Sequence, residues 1–157
     1  TNFGCFGQDF GFSIDPTTLI QASIDKANKK IYAKELIYKP SLTTTDIYNE
    51  NIRYTSRNGL IVADSSEPRL IQELKNRGLN IKAVEKPKII DRIALMQDYE
   101  LIIDADSTNL IKELNNYSWH DKKSKVPIDA YNHLIDSLRY IVWNFIGGTS
   151  KSSYYIG

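Results

Sequence analysis

Residues able to bind a metal or move a proton stand at three separated places in this 157-residue chain. Near the C-terminus, "PIDAYNHLIDSLRYIVWNF" reads as a helix. At about 100° per residue, Ile128, Tyr131, Leu134, Ile135, Leu138, Ile141, Val142 and Phe145 form one broad apolar face. Asp129, His133, Asp136 and Tyr140 form a narrow stripe on the other side, with His133 and Asp136 neighbours at i, i+3. A solvated helix face would show the same stripe. Yet Tyr140 and Trp143 continue it, so the second half of the helix is apolar nearly all round and is expected to be buried on more than one side. An Asp and a His on such a helix need partners, and a metal ion would serve.

A second carboxylate, Asp64, closes the short apolar run "LIVAD", where a strand hands over to a loop. Ligands of open α/β sheets gather at the carboxyl ends of strands, although an Asp before "SSEP" also fits a turn or a helix cap. A third, Asp9, lies in "GQDFGFSIDP", within a strand-like run from Phe3 to Phe12. Asp is disfavoured in strands because it competes for backbone hydrogen bonds. Glycines on both sides leave room for something to approach closely. Three carboxylates so far apart in sequence can meet only by folding. Two divalent ions about 3.5–4 Å apart, held by such a cluster, stabilise both the attacking and the leaving oxygen in phosphodiester hydrolysis. Oxygen ligands suit Mg²⁺ or Mn²⁺, and one histidine makes a pure Mg²⁺ shell less obvious.

The elements that must position these residues follow from periodicity. Three strand-like runs come first, 3–12, 18–24 and 30–38, the last two joined by the turn "DKANK". "SLTTTDIYNENIRYTSRNG" reads as a helix capped by Ser41 or a nearby Thr and stopped by Gly59. Then come the buried strand "LIVAD", a helix "SEPRLIQELKNRG" with Ser66 as N-cap, a strand "LNIKAVE", a short helix over 88–97, a strand "YELIID" and a helix "DSTNLIKELNNY" capped by Asp106 or Ser107. Asp104 takes no role beyond a strand end. "YSWHDKKSKVP" reads as a charged hairpin or loop, and Pro127 precedes the last helix, which runs to about Ile146. A three-strand meander followed by α/β alternation predicts a mixed sheet with helices on both faces.

Composition narrows the class. The chain is 41% hydrophobic and 25% charged with net charge +1, so bulk charge points to no partner. Any nucleic-acid surface must come from local clusters. Lys122, Lys123 and Lys125 in "HDKKSK", and Lys86 and Lys88 in "EKPK", are the candidates for phosphate contacts, and both patches also fit solvated loops. The lone Cys5 excludes an intrachain disulfide and a cysteine-rich zinc site. No apolar run approaches the roughly 20 residues of a membrane span. "GGTSKSS" lacks the spacing of a phosphate-binding loop.

Together, "GQDFGFSIDP", "LIVADSSEPRLIQELKNRGLNI", "NLIKELNNYSW" and "PIDAYNHLIDSLRYIVW" resemble, in that order and over almost the whole chain, the nuclease domain of the large terminase subunit of tailed bacteriophages. The resemblance implies an RNase H-like α/β fold, a mixed five-stranded core sheet with helices on both faces, over residues 1–157 as one unit. It implies a metal-dependent endonuclease that cuts concatemeric double-stranded viral DNA during packaging, with Mg²⁺ or Mn²⁺, two ions in all. It assigns Asp9, Asp64, Asp136 and His133 as metal-binding and catalytic residues. It implies as partners DNA, an ATPase domain in the same full-length chain (no Walker motif occurs here, and the chain opens on Thr1), the small terminase subunit and the portal. The expected location is the cytoplasm of the infected host cell. The alternatives are another RNase H-like nuclease, such as a junction resolvase, or a non-catalytic DNA-binding or motor-docking module. The segment "EKPKIIDRIALM" departs from the family pattern in lacking a glycine and a serine.

Overall fold

The computed structural model describes residues 2–56, 58–85, 98–124 and 132–147. Three antiparallel strands open the chain: β1 (Asn2–Asp9), β2 (Pro16–Asp25) and β3 (Lys30–Pro40). Helix α1 (Thr44–Thr55) follows, with a capping box in which Thr43 and Asp46 satisfy each other's backbone amides. Strand β4 (Ile61–Asp64), helix α2 (Pro68–Asn76), strand β5 (Ile81–Val84), strand β6 (Glu100–Ile103), helix α3 (Thr108–Ser124) and helix α4 (His133–Val142) complete the described order. A π-helical turn, Trp143–Gly147, extends α4, and Lys26 Nζ donates to the Phe145 carbonyl there at 2.9 Å.

The strands form one mixed sheet in the order β5-β4-β1-β2-β3-β6. β1 runs antiparallel to β2 and parallel to β4, β4 is parallel to β5, and β6 is parallel to β3. The sheet has six strands, one for each strand run read from the sequence, "YELIID" included, where the resemblance implied a five-stranded core.

Side-chain alternation divides the interior in two. Cys5 of β1, Ile20, Ala22 and Ile24 of β2 and Val62 of β4 face Leu110 of α3 and Leu134, Leu138 and Ile141 of α4. Phe10, Leu19, Ile61, Ala63 and Ile81 face Ile47 of α1 and Ile71 and Leu74 of α2. Each fully buried Leu or Ile contributes about 1.5–3 kcal/mol. On the α1 side, the buried amides of Gln8 and Asn51 pair reciprocally at 2.8 and 2.7 Å. On the other side, burial pushes the Cys5 thiol up to about 12, which leaves it inert.

Four expectations need correction. β1 ends at Asp9 rather than running to Phe12, because Gly11 N donates to Thr17 Oγ1 at 3.0 Å and leaves the ladder. Asp9 thus closes its strand instead of interrupting it. Ser66 does not cap α2; its hydroxyl and amide both serve Asp64, and Glu67 occupies the N-cap position. "YSWHDKKS" is helical, since α3 continues to Ser124 with no Gly or Pro to stop it before Pro127. Finally, α4 starts at His133, later than the Pro127 signal suggests, and Asp129 lies outside the described residues, as does the short helix expected over 88–97.

The glycines around Asp9 have a structural use. A β-carbon at Gly7 would overlap the carbonyl oxygen of Ser137 in α4 and come within 2.9 Å of the Ile141 side chain. A β-carbon at Gly11 would overlap the backbone of Asp15 and Pro16. The close approach expected beside Asp9 is thus made by protein backbone. Gly7→Ala should push α4 off β1 and lower stability by about 3 kcal/mol, the upper range for overpacking. Urea denaturation reads this directly, and a loss below about 1 kcal/mol would mean the helix yields easily.

Candidate active site

Asp9 and Asp64 become neighbours through the parallel ladder. The last registered pair of β1 and β4 is Gln8 with Ala63, so the next residues on each strand are the two aspartates. Both stand at the carboxyl ends of adjacent strands, each one residue past the last registered pair. Asp9 is on the α4 face, with Gly7 and Cys5. Opposite it in β2 is Thr18, whose hydroxyl shares a 2.6 Å hydrogen bond with Ser137 Oγ and donates to the His133 carbonyl at 3.2 Å.

Helix α4 brings the rest. Tyr140 is buried, and its hydroxyl donates to Asp9 Oδ1 at 3.2 Å. Its phenol is held far above the usual range, first by burial, then by the charges of Asp9, Asp136 and Asp64 and the hydrogen bond to Asp9. It is therefore a neutral donor at any working pH.

His133 lies between two carboxylates. Nδ1 is 3.8 Å from Asp9 Oδ2 and Nε2 is 3.9 Å from Asp15 Oδ1. These are ion-pair distances, too long for hydrogen bonds. The adjacent Asp9 raises the His133 pKa against the opposing effect of burial, helped by the charges of Glu113 and Asp15. Asp136 accepts from Arg139 at 3.0 Å, an i, i+3 pair in which both side chains are partly exposed. Asp64 accepts from the amide and hydroxyl of Ser66 at 3.2 and 2.9 Å. As these side chains stand, no group of three His, Cys, Asp or Glu among the described residues closes a metal shell. The structure thus joins Asp9, His133 and Tyr140 by direct contact, sets Asp64 beside Asp9, and leaves Asp136 one turn before Tyr140 with its carboxylate on Arg139.

Three neighbours of this cluster escaped the sequence reading. Asp15 stood in "GQDFGFSIDP" without a role. Tyr140 lay on the helix stripe, at i+7 from His133, without a role. Glu113 is buried in α3 and accepts from the amides of Leu134 and Ile135 at 2.9–3.1 Å. The only hint of it was a glutamate spaced i+3 from Leu110 and beside Leu114, on the apolar face of its helix. Lys122 and Lys123 belong to the end of α3, but their side chains, like Lys86, Lys88 and Lys125, lie outside the described residues.

A mixed sheet with helices on both faces, and aspartates at the carboxyl ends of its adjoining parallel strands β1 and β4, defines the RNase H-like class. The family is narrower than that: a family model described as "Terminase RNAseH like domain" matches residues 9–143, and the chain belongs to this family. It is 36% identical over 146 residues to the large terminase subunit of Bacillus phage SPP1, covering 85% of this chain and 34% of that one. It is 26% identical over 155 residues to the large terminase subunit of Escherichia phage T5, covering 90% and 35%. The chain therefore spans about a third of the length of these relatives. Among solved structures, it matches the large terminase nuclease domain of bacteriophage SPP1 with bound Mn, with TM-score 0.72 and 27% identity over 90% of this chain and 85% of that one.

Two measurements check the site's internal contacts. Tyr140→Phe removes a buried donor to a carboxylate and should cost about 1–2 kcal/mol in urea denaturation. For His133, whose pKa is raised by folding, the stabilising contribution is complete below the unfolded value of about 6.5 and is lost as pH rises through the raised value. The gap in melting temperature between the parent and His133→Asn, measured without metal, should be widest just under pH 6.5 and close above that window. A gap that widens with pH would contradict the ion pair with Asp9 and Asp15.

Proposed function

We propose that this chain is the nuclease unit of a DNA-packaging motor: a metal-dependent endonuclease that cuts concatemeric double-stranded viral DNA. The observation that carries the proposal is that Asp9 and Asp64 stand at the carboxyl ends of the adjoining parallel strands β1 and β4, while α4 brings Tyr140 onto Asp9 and carries Asp136 one turn before it. Carboxylate oxygens suit Mg²⁺ or Mn²⁺, and the adjacent strand ends give two such donors. Asp9, Asp64 and Asp136 would hold the metal, with His133 auxiliary; the SPP1 relative was solved with bound Mn. When bound, a pair of divalent ions supplies charge stabilisation for the attacking and leaving oxygens of phosphodiester hydrolysis.

The chain's own residues prepare that chemistry. Tyr140 fixes Asp9 through Oδ1, and His133 stands at Oδ2, so the carboxylate is oriented from both sides. Asp9 and Asp15 favour the protonated form of His133, and metal binding would oppose it. Asp136 would exchange part of its contact with Arg139 for the ion. Lysines 86, 88, 122, 123 and 125 would contact DNA phosphates. The ATPase motor would belong to the same full-length protein, and the small terminase subunit and portal would be its partners in the host cytoplasm. No described helix is long and apolar enough to cross a membrane.

Plasmid nicking tests the proposal. The parent should cleave supercoiled DNA in Mg²⁺ or Mn²⁺, and millimolar Mn²⁺ should raise its melting temperature by mass action. Asp9→Ala, Asp64→Ala and Asp136→Ala should each abolish cleavage in either ion, whereas His133→Ala should lower activity and weaken any preference for Mn²⁺. A parent that leaves the plasmid intact in both ions would overturn the reading.

A further inference from the structure

Helix α4 carries His133, Asp136 and Tyr140, yet its own sequence does not start it. Asn132 sits at the N-cap and makes no side-chain capping hydrogen bond. Its carbonyl accepts from Asp136 N at 2.8 Å, the first bond of the helix ladder, but the amides before that one have no intrahelical acceptor. Glu113 fills the gap from another helix. Its Oε1 accepts from Leu134 N at 2.9 Å and Ile135 N at 3.0 Å, and Oε2 makes a second contact with Leu134 N at 3.1 Å. The carboxylate stands where a capping side chain would stand.

Glu113 is only 2% exposed. Burial raises its pKa, opposed by the two amide hydrogen bonds and by the nearby His133, and reinforced by Asp136. A buried carboxylate is a poor stabiliser, since an apolar side chain of similar size often serves stability as well or better. What an apolar side chain cannot do is accept two amides at a fixed place.

Helix α3, which carries Glu113, is itself tied to the sheet in the same way. Glu35 of β3 accepts from Leu110 N at 2.9 Å and Asn109 Nδ2 at 3.0 Å, while Ser107 Oγ accepts from Glu35 N at 3.0 Å. A series of charged caps therefore runs from β3 through α3 to α4. The contact over Gly7 sets how near α4 lies to β1, and the Glu113 cap sets where α4 begins. If the chain were shifted by one residue against this fixed cap, every later side chain would turn by about 100°.

We propose that Glu113 is the positioning residue of the candidate metal centre: by capping the Leu134 and Ile135 amides it sets the start and rotation of α4, and so places His133, Asp136 and Tyr140 against Asp9 and Asp64. The inference rests on the proposed metal-dependent function for its consequence, though not for its geometry. Glu113→Gln keeps the size but puts an NH₂ group in place of one acceptor oxygen. Glu113→Asp keeps the charge and shortens the reach. Leu74→Ala, in the opposite core, serves as a destabilised control that leaves α4 untouched.

Three readouts apply, all at a temperature where every variant is folded by circular dichroism. In metal-free protein, Glu113→Gln should speed hydrogen exchange at the Leu134 and Ile135 amides at least about tenfold and move the His133 ring resonances; Leu74→Ala should do neither at these positions. Mn²⁺ affinity by calorimetry should weaken about tenfold in Glu113→Gln, the lower end for residues that orient metal ligands. Glu113→Asp should recover part of that loss, and Leu74→Ala should bind as the parent does. Unchanged His133 resonances in Glu113→Gln would overturn the positioning role, as would parental Mn²⁺ affinity in that variant. If the parent itself binds no Mn²⁺, the metal-centre reading falls, while the metal-free signals still decide whether Glu113 places the helix.

Discussion

The backbone contact between α4 and β1 is the constraint on which the rest of the site depends. Gly7 lets the Ser137 carbonyl lie where a side chain would otherwise be. The shared hydrogen bond of Ser137 with Thr18 holds the same turn of helix to β2. Because side chains alternate along a strand, the face that admits the helix at Gly7 is also the face that presents Asp9. Packing and chemistry therefore share one parity of residues, and the helix that covers the sheet also brings His133 and Tyr140 to the aspartate.

Asp9 is partly exposed, and three neighbours surround it: Tyr140 donates a hydrogen bond, His133 supplies a charge when protonated, and the β4 strand end brings Asp64 alongside. The arrangement concentrates negative charge at one edge of the sheet. Arg139 and Ser66 take up part of that charge at Asp136 and Asp64. Elsewhere, Glu35 and Glu113 are each matched to helix-terminal amides, where the helix dipole favours a negative group. Acidic residues thus serve two purposes in this fold, Asp46, Glu35 and Glu113 securing helix starts and Asp9, Asp64 and Asp136 standing at the strand ends and on α4.

Much of this was legible beforehand, for local reasons. "LIVAD" announced a buried strand ending in a carboxylate because an apolar run and its terminal Asp are adjacent in sequence. The last helix announced burial on several sides because Tyr140 and Trp143 fell on its polar stripe, and both are buried. What stayed hidden depends on distant contacts. The start of α4 is set by Glu113, 21 residues upstream of Leu134, so no nearby cap marks it. Asp15 meets His133 only after the β1–β2 loop folds back. The length of α3 was missed because "HDKK" looks like a loop by composition, although nothing in it breaks a helix.

The buried pairing of Gln8 with Asn51 has a further consequence, for fidelity. Gln8 precedes Asp9 on β1 and points to the opposite face, where its amide and that of Asn51 hydrogen-bond reciprocally. A slip of β1 by a single residue would exchange the faces of the whole strand. In one direction Asp9 would then meet Asn51 in a dry interior and Phe10 would take its place at the strand end; in the other, Gly7 would face Asn51 and Gln8 would stand at the strand end. Both polar groups would lose their partners, at about 1–3 kcal/mol for each. The pair works as a proofreading key for strand alignment: the misaligned chain is penalised in the core behind the site, before any ligand could reveal the error.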